Sequence, residues 1–177
     1  KRIFACHWGD LIMLDYLGIF KAFNDRGIHY IVVGGIAVNL YGIPRMTYDI
    51  DILLEMSEHN IKQFIGLIKE WGFKPRVPVS VDDFANEDKR KDWIHNKNMK
   101  AFTFINPEWA ISEIDVIIDS PIDYIHAYNN AVAITVGDIT IPVVSIDDLI
   151  EMKRKSDRKH DQIDVEYLER VKNEQKG

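Results

Sequence analysis

The chain contains one cysteine, Cys6, in 177 residues. A single thiol excludes an internal disulfide framework and any Cys-based zinc site, and it fits a reducing compartment, so a cytoplasmic location is expected. A basic excess is also missing: 22 Lys and Arg stand against 28 Asp and Glu, for a net charge of −6. No overall field draws the chain to nucleic acid, and any phosphate-bearing ligand must be held locally. The longest stretch free of Asp, Glu, Lys and Arg, from Gly27 to Pro44, carries Gly34, Gly35, Gly42 and Pro44. It is not expected to form one lipid-spanning helix, so no membrane partner is expected. No basic, apolar leader follows Lys1, and secretion is not expected. The six His residues include no His-x-x-x-His pair, and Gly-x-Ser-x-Gly, Walker A and Gly-x-Gly-x-x-Gly sequences are absent. Zinc-hydrolase, serine-hydrolase and dinucleotide-binding readings have no support.

What remains suits a folded domain: 46% hydrophobic, 11% aromatic and 28% charged residues, enough to bury one core. The expectation is a single domain over residues 1–177, with 145–177 as a C-terminal helical segment. A first helix carries Leu11, Leu14, Leu17 and Phe20 and ends at Gly27. His29 to Val33 reads as a buried strand, Gly34 to Tyr41 as a short helix, and Tyr48 to Leu54 as a second strand. Ser57 caps a helix that Gly72 stops. Strands follow near 99–105 and 111–118, a short helix from Pro121, and a hairpin over 131–144 turning at Gly137-Asp138. Ser145 caps the next helix, with Asp148 as its acidic partner, and a last helix covers Lys159 to Lys172. Between Ser80 and Asn98, where eight of the eleven residues 82–92 are charged, the least structure is expected. The fold class is α+β (mixed α/β): a small mixed β-sheet backed by helices.

Asp49 and Asp51 are the sharpest chemical signal. Residues i and i+2 of a strand share a face, so two carboxylates stand side by side with no neutralising partner between them. A divalent cation such as Mg²⁺ or Mn²⁺ would relieve their repulsion; an exposed polar strand face is the alternative. Gly34 and Gly35, between a strand and a helix, free backbone N–H groups for a phosphate, or simply make a tight turn. Asp115 lies on a strand whose other face is Ile114, Val116 and Ile118; it is a third ligand, or part of a sheet edge with its acidic face in water. Lys153 and Asp161 fall on the inward stripes of the two C-terminal helices, with Arg154, Lys155, Arg158 and Lys159 nearby. They face a cleft, or Lys153 snorkels to solvent from a basic helix end.

The order Gly34-Gly35, then Arg45-x-Thr47-x-Asp49-x-Asp51, resembles the signature of nucleotidyltransferases with the polymerase-beta-type fold. The tail Ser145-x-Asp147-Asp148-Leu149-x-x-x-Lys153, followed by Arg158-Lys159-x-Asp161-x-x-Asp164, resembles the branch containing abortive-infection-type toxin nucleotidyltransferases. That branch also has Gly-Gly where the wider superfamily usually places Ser after the first Gly. The resemblance implies metal and nucleoside triphosphate (NTP) held by Asp49 and Asp51, with Asp115 sharing metal or activating the acceptor. It also implies nucleotide contacts from Gly34, Gly35, Arg45, Thr47, Lys153, Arg158 and Asp161. NMP would pass to an acceptor hydroxyl on RNA, protein or a small molecule, and an antitoxin partner would be expected for a toxin. An antibiotic-modifying transferase and a nucleotide- or partner-binding module without turnover are the alternatives.

Overall fold

The computed structural model describes residues 11–109, 111–156 and 158–174; Cys6 and Lys1 lie outside them. Seven strands form one mixed sheet: β1 (Tyr30–Val32), β2 (Asp49–Leu54), β3 (Lys74–Pro75), β4 (Ala101–Ile105), β5 (Glu113–Ile117), β6 (Val132–Val136) and β7 (Ile139–Val143). Their spatial order is β3-β4-β5-β2-β1-β7-β6. The β2–β5 and β1–β7 pairs are parallel, and the other neighbours antiparallel. The helices are α1 (Leu11–Asp25), α2 (Gly34–Leu40), α3 (Glu58–Glu70), α4 (Glu87–Lys97), α5 (Tyr124–Asn130), α6 (Ile146–Arg154) and α7 (Lys159–Glu174). Among the described residues no helix is long and apolar enough to cross a membrane.

Strand alternation decides which sheet face meets the core. Ile50, Ile52, Ile114, Val116, Phe102 and Phe104 are all fully buried. Rings from α1, α3 and β4 join them: Phe23 meets Phe64 edge-on at 5.9 Å, and Phe64 meets Phe104 at 5.6 Å. Such edge-to-face pairs add directional preference to the area they bury. The opposite periodicity sends Asp49, Asp51 and Asp115 away from this core. β5 lies between β4 and β2, so Asp115 sits in the sheet interior and not at an edge in water.

The segment 80–98 departs from expectation, because it is ordered. Ser80 opens a 3-10 helix at Val81–Ala85 with a reciprocal cap to Asp83, and Asn86 accepts from Lys89 N–H to start α4. Two aromatic side chains are enough to anchor it: Phe84 packs on Phe102 at 5.2 Å and Trp93 stacks on Phe102 at 4.7 Å. Arg90 is buried, donates to the Phe84 carbonyl at 2.6 Å and lies over that ring. The short β3 was not foreseen, and α5 starts at Tyr124, capped by Asp123, not at Pro121. Ser145 does cap α6. The Asp148 carboxylate, however, meets His126 Nε2 at 3.0 Å.

Candidate active site

Register brings the three acids together. In the parallel β2–β5 pair Asp51 lies opposite Asp115, and Asp49 opposite Glu113. One carboxylate oxygen from each of Asp49, Asp51 and Asp115 falls within 4.8 Å of the other two. Thr47 Oγ1 donates to Asp49 Oδ1 at 2.7 Å, and the Thr47 carbonyl accepts from Tyr16 OH at 2.6 Å, which ties the lead-in to β2 onto α1. The Thr103 hydroxyl, from β4, donates to Asp115. Asp115 Oδ1 is buried without a hydrogen-bond partner among the described residues.

Asp51 and Asp115 resist ionisation in the absence of a cation. Burial, then the charges of Asp49 and Asp115, push Asp51 up to about 7, against the pull of the Gly35 N–H and Lys153. Burial also raises Asp115, with Asp49 and Glu113 adding to the shift. Three converging acids with an orphaned buried oxygen fit a hard divalent cation, which takes oxygen ligands and supplies the missing positive charge. Mg²⁺ and Mn²⁺ both meet that description.

Gly34 and Gly35 serve this cluster directly. Gly34 has φ of +64°, and the Asp51 carboxylate occupies the place its Cβ would take. A Cβ on Gly35 would fall 2.6 Å from Thr47 Oγ1, so the glycine permits the close approach of Thr47. The Gly35 N–H donates to Asp51. The glycines thus let α2 press against β2.

A cleft of about 630 Å³ opens over Asp49 and Asp51, lined also by Gly34, Gly35, Arg45 and, from the far wall, Lys153, Arg158 and Asp161. Lys153 is buried, with Nζ 2.8 Å from Asp161 Oδ1 and 2.7 Å from Asp164 Oδ2. This overturns the snorkelling reading. Arg45 reaches the same Asp164 oxygen at 2.7 Å, so two cations and two carboxylates bridge the β2 lead-in, α6 and α7. Burial works to raise Asp161, but hydrogen bonds from Lys153 and Ser156 and the Lys153 and Arg45 charges outweigh it and hold the carboxyl below the usual range. Arg158 is exposed at the rim.

Sequence reasoning missed part of this lining. Asp164 was given no role, although three residues after Asp161 it had to fall on the same face of α7. Lys155, named only as a neighbour of Lys153, lines the cleft, as do Lys100, just before β4, and Asp119, just after β5.

No family model matches the chain, and no curated protein matches it in sequence. Among solved structures it is similar to the lincosamide antibiotic adenylyltransferase LnuA, determined with lincomycin bound, at 16% identity and a TM-score of 0.60, over 89% of this chain and 96% of that one. An antigenic nucleotidyltransferase-like protein from Paracoccidioides brasiliensis matches at 15% identity and 0.56, over 90% and 75% of the two chains. The antibiotic-resistance factor ANT(2'')-Ia matches at 13% identity and 0.53, over 88% and 80%. All three likenesses are likenesses of fold.

Proposed function

With the nucleotidyltransferase fold as premise, we propose that the chain is a metal-dependent nucleotidyltransferase that moves NMP from an NTP to an acceptor hydroxyl. The observation that carries this reading is the Asp49, Asp51 and Asp115 cluster with its orphaned Asp115 Oδ1, two of whose members, Asp49 and Asp51, line a cleft walled by cations. Asp49, Asp51 and Asp115 would hold Mg²⁺ or Mn²⁺. The cation would neutralise charge building on the α-phosphate and draw the acceptor hydroxyl toward ionisation.

The protein's part is positioning and electrostatics. Lys153, Lys155 and Arg158 face the triphosphate, with Arg45 at its edge. The acceptor oxygen forms a bond to the α-phosphorus, the bond to the pyrophosphate oxygen breaks, and the hydroxyl proton passes to a carboxylate oxygen. Asp115 suits that task by position, opposite Asp51 in the β2–β5 register. Pyrophosphate leaves along the cationic wall, and Lys153 is held there by Asp161 and Asp164 at 2.8 and 2.7 Å.

A toxin-like role on RNA or protein, restrained by an antitoxin, rests on the tail around Lys153 and Asp161. A small-molecule acceptor is the second reading, and the antibiotic-directed names of two fold neighbours favour it. Incubating the protein with each α-labelled NTP, Mg²⁺ or Mn²⁺ and cell extract tests the proposal. Label should enter an acceptor with wild-type protein and not with Asp49→Asn or Asp51→Asn. Equal labelling by folded Asp49→Asn would sink it, and binding without any transfer would favour a non-catalytic module.

A further inference from the structure

Asp49 borders two hollows. One is the large cationic cleft. The other, about 270 Å³, lies on the side of the β2 lead-in and is lined by Met46, Thr47, Tyr48, Ser112 and Glu113, with Arg45 at its edge. We propose that this smaller hollow is the acceptor site, and that it takes a neutral or cationic hydroxyl-bearing ring in preference to a polyanionic strand. The inference rests on the nucleotidyl-transfer reading and names the acceptor class for it.

Three observations carry it. In-line displacement puts the entering oxygen opposite the leaving pyrophosphate. The leaving side is the wall of Lys153, Lys155 and Arg158, so the acceptor arrives across Asp49, where the second hollow opens.

The hollow's charge comes next. Among the described residues lining it the only cation is Arg45, and Asp164 holds it at 2.7 Å. Glu113 brings a carboxylate, itself paired with Arg76 from the chain after β3. No uncommitted cation is left for a phosphodiester backbone, whose binding depends on Lys and Arg contacts. A hydroxyl or ammonium group finds acceptors at Ser112 and at the Glu113 oxygen that Arg76 does not take.

The third observation is apolar. Met46 is 78% exposed and Tyr48 66% exposed, on either side of Thr47, beside a site where water must be displaced. A phenol ring and a thioether offer a face for the C–H surface of a sugar or another ring. The hollow's volume lies at or below the lower end for small-molecule sites, which suits one ring-sized unit and not a long ligand.

Two methionine methyl groups separate the two ligands, because Met152 lines the nucleotide cleft and Met46 the smaller hollow. Full-length protein carrying ¹³C-methyl methionine, assigned with Met46→Leu and Met152→Leu, is titrated with Mg²⁺ and a non-hydrolysable ATP analogue. Methyl glucoside, glucosamine or a short RNA is then added. The nucleotide should move the Met152 signal, and the two ring compounds the Met46 signal, with RNA leaving Met46 in place. Tyr48→Ala should weaken ring binding roughly two- to tenfold, the span of one lost aromatic contact, while leaving the nucleotide-induced shift of Met152 intact. A Met152 response with no Met46 response to either ring overturns this inference and spares the transfer reading. Movement of Met46 by RNA overturns it too. A Met46 response to the rings without any nucleotide response at Met152 supports the ring site and counts against nucleotidyl transfer.

Discussion

The Asp51 carboxylate fills the volume that a Cβ on Gly34 would require, and Gly34 itself adopts φ of +64°. The residue pair therefore sets how closely α2 can approach β2 and where the central acid stands. Gly34→Ala carries both penalties: the left-handed backbone costs roughly 1–2 kcal/mol for a residue with a Cβ, and Asp51 has to move. The expected outcome is a measurable loss of stability in urea unfolding together with loss of divalent-cation binding by calorimetry. Gly35→Ala has no positive φ to strain but meets the Thr47 hydroxyl that donates to Asp49, and should disturb Asp49 rather than Asp51. If Gly34→Ala binds metal like the wild type, the packing account fails.

Stability of the metal-free protein should fall as pH rises from about 4 to about 7. Asp51 ionises near its ordinary 3.8 when unfolded and near 7 in the fold, where burial and the neighbouring Asp49 and Asp115 charges oppose ionisation. Below both values the carboxyl is protonated in both states and contributes nothing. Between them only the unfolded chain releases the proton, so unfolding is favoured; above about 7 the loss levels off. The size is a few kcal/mol at most, at ~1.4 kcal/mol per pKa unit. Asp51→Asn should flatten this profile in thermal melts with EDTA, and Mg²⁺ or Mn²⁺ should restore the wild type above pH 7 by binding the ionised form. A wild-type profile identical to that of Asp51→Asn would rule out the elevated carboxyl.

Phe84→Ala should destabilise the fold by about 3–5 kcal/mol, the usual cost of emptying a buried aromatic position. Its ring is fully buried against Phe64, Phe102 and Phe104, and its carbonyl holds the buried Arg90. Chemical unfolding reports the change; a loss under 1 kcal/mol would mean that segment 80–98 is loosely attached.

That segment also shows where local sequence reading stops. β2 and the Asp49–Asp51 face were legible because strand alternation is a local rule, and Ser57 and Ser145 were legible as caps for the same reason. The helices over 81–97 were hidden because their charges occupy the outward face, as in Glu87 with Lys91, while the anchoring falls to Phe84 and Trp93 through contacts distant in sequence. Asp115 was assignable to a strand, but only the pairing of β5 with β2 decides that it stands beside Asp51. Arg45 and Asp164 are 119 residues apart, and no spacing rule connects them.

Lys153 and Lys155 separate structural from binding roles within one helix end. Lys153 is 6% exposed and lies between Asp161 and Asp164, and removing one member of a buried charge group leaves the others uncompensated. Lys153→Ala should therefore lose about 3–5 kcal/mol as well as nucleotide affinity, which makes its kinetics alone uninformative. Lys155 is exposed and pairs with Glu151 at 2.8 Å in an i,i+4 geometry, so Lys155→Ala should change stability by no more than about 0.5 kcal/mol. It lines the cleft nevertheless, and its loss should weaken Mg²⁺–NTP binding while the fold is intact. Asp161→Asn keeps the size of the side chain but removes the charge that offsets Lys153, and it should fall between the two in stability. Measuring urea midpoints and nucleotide affinity for the three variants together decides the assignment. If Lys155→Ala binds nucleotide like the wild type while Lys153→Ala loses affinity in step with its stability, the cationic wall is a scaffold for α6 and α7 and makes no contact with the triphosphate.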